Sequence, residues 1–189
     1  MTESQGRKIE RRKKRAPRKV TPKYLENAAL YYLSRYATSA ENLRRVMMRK
    51  VMRSAKHHGT DAEDGAALIE AMIGRFLGSG LLDDGAYAKT RAESLHRRGN
   101  SARVIRGKLK QKSVGDDAID RALEALGDDS PDPELAAAIT LAKRRRLGPF
   151  AIRKPSEEQR EKHLAALARA GFSYDVARRV VDGKDIDGI

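Results

Sequence analysis

No stretch of this chain alternates apolar and polar residues with period two. Apolar residues recur instead at spacings of three and four behind a succession of helix-starting residues, so helices have to make the fold. Thr21 and Pro22 open the first, followed by Leu25, Ala28, Ala29, Tyr32, Leu33 and Tyr36 on one face. Thr38 with Glu41, and Thr60 with Glu63, have the spacing of capping boxes. Behind them lie Leu43, Val46, Met47 and Val51, then Ile69, Met72, Ile73, Phe76 and Leu77. Asp83 or Asp84, Ser101 and Gly115 open three more helices, and Asp132 with Pro133, Ser156 with Gln159, and Ser173 open the last three. The expected fold is all-α, nine helices in three tandem three-helix repeats.

A shift of 58 residues lays Leu109 on Leu167, Val114 on Phe172, Asp117 on Asp175, Arg121 on Arg179 and Leu123 on Val181. The second and third trios therefore share one frame, and the first follows it less closely. The frame divides the chain into a basic tail at 1–20, repeats at 21–81, 82–127 and 128–183, and a short end at 184–189. The tail, almost devoid of apolar residues and carrying Arg11, Arg12, Lys13, Lys14 and Arg15 in a row, is expected to be disordered.

Charge is concentrated at one end. Residues 1–23 carry ten basic and two acidic side chains, residues 24–58 seven and two, and residues 59–189 twenty-three and twenty-two, so nearly all of the net +14 lies in the first 58 residues. A one-ended basic field suits a polyanion, because each neutralised phosphate releases counterions; nucleic acid is the first candidate partner. No run of about 18 apolar residues is present and the N-terminus has no apolar signal segment, so a cytoplasmic protein without a membrane partner is expected. The chain has no cysteine and four histidines, which excludes disulfides, thiolate zinc sites and cysteine nucleophiles.

Little remains for catalysis. Gly107 with Lys108 and Gly183 with Lys184 lack the rest of a phosphate-binding loop, and Gly74, Gly78 and Gly80 follow no strand. Asp83 with Asp84, Asp116 with Asp117 and Asp128 with Asp129 sit at helix starts or in a linker, where capping accounts for them. His57 and His58 lack a third ligand. No enzyme, cofactor or metal site is expected. The candidate binding residues are cations: Arg45, Arg49, Arg53 and Lys56 form a stripe on the second helix, and Lys143, Arg144, Arg145 and Arg146 form a run at the end of the seventh. A three-helix unit could also serve as a helix-turn-helix that reads duplex DNA, which leaves a transcription regulator as the alternative function.

Four strings in order point to one family. They are Ala29 to Arg35 with Ser39, Glu41 and Leu43; Leu82, Asp83, Asp84, Tyr87 and Ala88; Arg97 through Gly99 to Leu109 and Lys112; and Gly171, Phe172, Ser173, Tyr174 and Asp175. Over about residues 22–183 the chain resembles RecX, the bacterial regulator of the RecA recombinase. The resemblance implies an elongated, curved array of three repeats that lies in the groove of the RecA filament on single-stranded DNA. It implies suppression of ATPase, strand exchange and coprotease activities, a place in homologous recombination, DNA repair and the SOS response, and a non-catalytic monomer, with duplex DNA as a further ligand. It assigns no binding residues, so the cationic candidates rest on charge and periodicity alone. The chain departs from the family in its basic tail, in Ser113 where glycine is common, and in Gly107, expected to interrupt the second helix of the middle repeat.

Overall fold

The computed structural model of the protein describes residues 16–128 and 130–184. Residues 1–15 of the expected tail at 1–20, and 185–189 of the expected end at 184–189, lie outside the described residues. Within them run nine α-helices and no strand: α1 Pro22–Leu33, α2 Ala40–His58, α3 Ala62–Gly78, α4 Asp84–His96, α5 Ala102–Gln111, α6 Asp116–Glu124, α7 Pro133–Arg145, α8 Glu157–Arg169 and α9 Tyr174–Val181. Short 3₁₀ turns follow α6 at Ala125–Gly127 and α7 at Gly148–Phe150.

Three separate apolar cores organise these helices. The first gathers Leu25 and Ala29 of α1, Leu43, Met47 and Val51 of α2, and Ile69, Met72, Ile73 and Phe76 of α3. The second joins Ala88, Ala92 and Leu95 to Ile105, Leu109, Ile119 and Ala122. The third joins Leu135, Ile139 and Ala142 to Leu164, Leu167, Ala177 and Val180. All substantial helix pairings stay within one trio, so each unit packs on itself and meets its neighbour along a narrow junction. The 58-residue frame survives in the packing: Leu109 and Leu167, Val114 and Phe172, and Ile119 and Ala177 are all buried at equivalent places.

Serine, threonine or aspartate side chains cap eight of the nine helices, and Gly115 begins α6 without a side-chain bond. Two expected caps shift by one residue. Ser39, not Thr38, accepts the Asn42 amide at the start of α2, while the Thr38 hydroxyl accepts from the Asn42 side chain at 2.7 Å. Asp61, not Thr60, accepts the Glu63 amide at 2.8 Å, since a carboxylate gains more than a hydroxyl at the positive end of a helix. The capping box of Ser156 and Gln159 forms as expected.

Gly107 does not interrupt α5, which runs through it. Ser113 has φ +54°, a left-handed conformation that favours glycine; the equivalent residue of the third unit is Gly171, with φ +92°. Residues 16–20, within the segment expected to be disordered, lie against α2. The Val20 amide donates to the buried Ser54 hydroxyl at 3.1 Å, and the His58 ring bonds the Pro17 carbonyl at 2.8 Å.

Two glycines make opposite predictions. A Cβ on Gly107 would meet no atom, so Gly107→Ala should gain about 0.5–1 kcal/mol in helix propensity and raise the melting midpoint. Gly99 has φ +74°, and a Cβ there would stand 2.7 Å from the Leu141 amide nitrogen and 2.9 Å from the Ala137 carbonyl. Those are backbone atoms of α7 that cannot rotate away, so Gly99→Ala should cost ~2 kcal/mol or more. Thermal melts of the two variants check both signs.

Candidate nucleic-acid interface

The stripe on α2 follows from its helical repeat. With Leu43, Met47 and Val51 committed to the first core, steps of 100° per residue carry Arg45, Arg49, Arg53 and Lys56 to the outer face. Arg45, Arg49 and Arg53 line an open concavity of about 760 Å³ together with Met48 and Met52, the latter 54% exposed. Arg44, one residue away, has a different fate. It bonds Glu41 and Glu70, which push its guanidinium pKa up, and its hydrogen bonds hold the Glu70 carboxyl below the usual range. Arg44 is thereby neutralised, whereas no carboxylate lines the stripe.

The stripe is not uniformly available. Arg45 donates to the carbonyl of Gln111 at 3.0 Å, satisfying an open acceptor at the C-terminal end of α5 in the next unit. Arg53 donates to the carbonyl of Arg49 at 3.2 Å. The side chains of Arg49 and Lys56 are exposed and make no hydrogen bond or ion pair among the described residues.

The second candidate cluster lies in the third unit, and the fold does not bring it to the stripe, which belongs to the first core. Lys143 stands 5.7 Å above the Phe150 ring, and Arg144 donates to the Arg98 carbonyl at 2.9 Å across the junction between the second and third units. Arg145 is exposed, and Arg146 closes α7 in a left-handed conformation, φ +56°. Part of this charge serves the negative end of the α7 dipole. Arg146 also lines a concavity of about 530 Å³ with Arg153, Lys162 and His163 around Ile152, which is 78% exposed.

Sequence reasoning missed a third basic patch. Arg18, Lys19, Lys23 and Lys50 meet at the start of α1 beside Tyr24 and Tyr31. Arg18 and Lys19 fall in the tail that the sequence leads one to expect disordered, and Lys50 lies outside the four-residue stripe. Its trace in the sequence is the excess of cations over residues 1–58, seventeen against four acids. Among the described residues no three histidines or carboxylates are placed to hold a metal ion, and no helix is long and apolar enough to cross a membrane.

A further set of polar contacts joins the units. The Ser39 hydroxyl donates to the carbonyl of Lys112, the C-cap of α5, and the amide of Ala40 donates to the Asp84 carboxylate at 2.8 Å. One repeat later, the Ser101 hydroxyl donates to the carbonyl of Ala170, the C-cap of α8, at 2.8 Å, and the amide of Ala102 donates to the Glu134 carboxylate at 3.0 Å. The same clasp is thus built twice. It brings the C-terminus of α8 to the N-terminus of α5 and the C-terminus of α5 to the N-terminus of α2, so that dipole ends of opposite sign meet at each junction.

A sequence profile described as RecX, second three-helix domain, matches residues 83–123. A regulatory protein RecX from Myxococcus xanthus is 44% identical over 96% of this chain and 98% of its own length. Another from Agrobacterium fabrum is 32% identical over 84% of this chain and 82% of its own. The crystal structure of RecX from Lactobacillus salivarius superposes with a TM-score of 0.64 at 22% identity, covering 87% of this chain and 97% of that one.

The division of labour along α2 is testable by paired variants. Arg45→Gln should cost about 0.5–1.5 kcal/mol of stability, because the Gln111 carbonyl loses its donor, while Arg49→Gln should leave the melting midpoint within about 0.5 kcal/mol of the parent. Chemical denaturation of the two proteins measures the difference.

Proposed function

The chain belongs to the RecX family of regulatory proteins, and from that membership we propose that it is a non-enzymatic regulator of the RecA recombinase. In this reading it binds the RecA filament on single-stranded DNA in the cytoplasm and inhibits ATPase, strand exchange and coprotease activities. The observation that carries the reading is the 44% identity to a regulatory protein RecX across almost the full length of both chains. Arg49 and Lys56, whose charges meet no partner among the described residues, and Arg53 beside them are the proposed polyanion contacts of the first unit; Arg145 and Arg146 are those of the third. Arg45 and Arg144, each donating to a carbonyl of the second unit, act in this reading by holding the units in register, as does Lys143 against Phe150 within its own unit.

The array form supports a partner that itself repeats. Three packed units in a fixed register can touch neighbouring subunits of a filament at once, and each linked contact raises the effective concentration of the next to roughly millimolar.

The test is RecA ATPase on single-stranded DNA with substoichiometric intact chain. Inhibition at well below one chain per RecA subunit is the expected result, and an ATPase rate unchanged even at equimolar chain would overturn the RecA assignment. Arg49→Gln with Arg53→Gln should reduce inhibition several-fold at low salt, with a smaller effect at high salt where screening already weakens the contact.

A further inference from the structure

The basic patch beside α1 differs from the stripe in kind. On a helix with 100° steps, Lys50 points about 100° away from Arg49, toward α1, and joins Lys23, Arg18 and Lys19 around a cavity of about 520 Å³. None of the four makes an ion pair among the described residues, and Glu26, the one carboxylate of α1, is held by Arg75 at 3.3 Å. Four cations converge with no counter-charge in the lining. A polyanion supplies that counter-charge.

Arg18 and Lys19 are also presented in place. The Pro17 carbonyl is tied to His58 and the Val20 amide to Ser54, so the two cations stand between two tethers, and little ordering is left to be done on binding. The third ingredient is aromatic. Tyr24 and Tyr31 line the same cavity, and Tyr31 is 64% exposed, with the Arg35 guanidinium 5.1 Å from its ring centre. An acidic peptide has use for the cations but none for the exposed part of the ring beyond the face that Arg35 covers. Stacked bases in a duplex have their faces covered, whereas an unpaired base offers its own to a ring.

We propose that this patch is a single-stranded nucleic-acid site, in which Arg18, Lys19, Lys23 and Lys50 hold backbone phosphates and Tyr31 stacks on an unpaired base. It deepens the function proposed above, resting on nucleic acid as a partner of the chain, but it needs no RecA and is tested without it.

The experiment is anisotropy of labelled oligo(dT) and of a duplex of equal length, with the intact chain and no RecA, over a series of salt concentrations. Tyr31→Ala should weaken oligo(dT) binding about ten-fold and duplex binding less than about two-fold, and Tyr31→Phe should bind as the parent does. Lys23→Gln with Lys50→Gln should lower the slope of log affinity against log salt by about 1.4, two phosphates at ~0.7 each. Circular dichroism confirms that the variants keep their helices. Equal losses on duplex and oligo(dT), no loss with Tyr31→Ala, or displacement of the oligo by poly-glutamate at equal charge would each overturn the proposal, the last in favour of an acidic protein partner. RecA ATPase run on the same proteins separates the two readings. Inhibition without the Tyr31 effect overturns this site alone, and the Tyr31 effect without inhibition overturns the RecA assignment alone.

Discussion

A serine hydroxyl and a carboxylate decide how the three cores are held together. Ser39 and Ser101 are fully buried, each capping its own helix while donating to the last turn of a helix in the next unit. A buried hydroxyl or carbonyl left without its partner costs about 1–3 kcal/mol, so sliding one unit against the next forfeits several bonds together. Asp84 and Glu134 add charge to the same joints. Each lies in the first turn of its own helix and also accepts the leading amide of the preceding unit's second helix, so one carboxylate serves two helix N-termini. Because the cores themselves do not merge, this polar register is what makes three small bundles one body.

The third unit does not repeat the clasp. Ser156 occupies in the third unit the place of Ser39 and Ser101, yet it is exposed and forms a closed box with Gln159 in place of a bond to another unit. The two joints differ in tightness. Gly99 and Gly171 allow α4 and the end of α8 to approach their neighbours at the second joint, where a Cβ on Gly171 would stand 2.6 Å from the Ser101 hydroxyl. Ala37 and Ser113 hold the corresponding places at the first joint, and beside it lies a groove of about 520 Å³ lined by Tyr36, Leu81 and Tyr87. Burial there raises the Tyr87 pKa.

The helices were legible because their signals are local. A cap and an apolar face of three- and four-residue spacing identify a helix before its partners are known, and the 58-residue frame anticipated which positions of the second and third units share a core. The off-by-one caps at Thr38 and Thr60 have a local cause, adjacent residues that can both cap. The clasps could not be read in this way. Asp83 and Asp84 look like an ordinary capping pair; Asp83 does cap α4, but Asp84 reaches Ala40, 44 residues earlier in the chain. The cationic stripe likewise looked like four equal charges until the neighbouring unit placed the Gln111 carbonyl against Arg45. The patch at Lys23 and Lys50 was hidden because its members come from three segments without a common period.

The most direct test of the register is hydrogen exchange at three amides that open their helices in the same way. Ala40, Ala102 and Glu157 are each the first residue of a second helix, a position whose amide has no partner within the helix. The clasps give the Ala40 amide the Asp84 carboxylate and the Ala102 amide the Glu134 carboxylate, while the backbone amide of Glu157 has no partner among the described residues. Native-state exchange should find Ala40 and Ala102 protected and Glu157 exchanging near the rate of an open chain. Equal, rapid exchange at all three would mean that the joints are open in solution and that the units move independently.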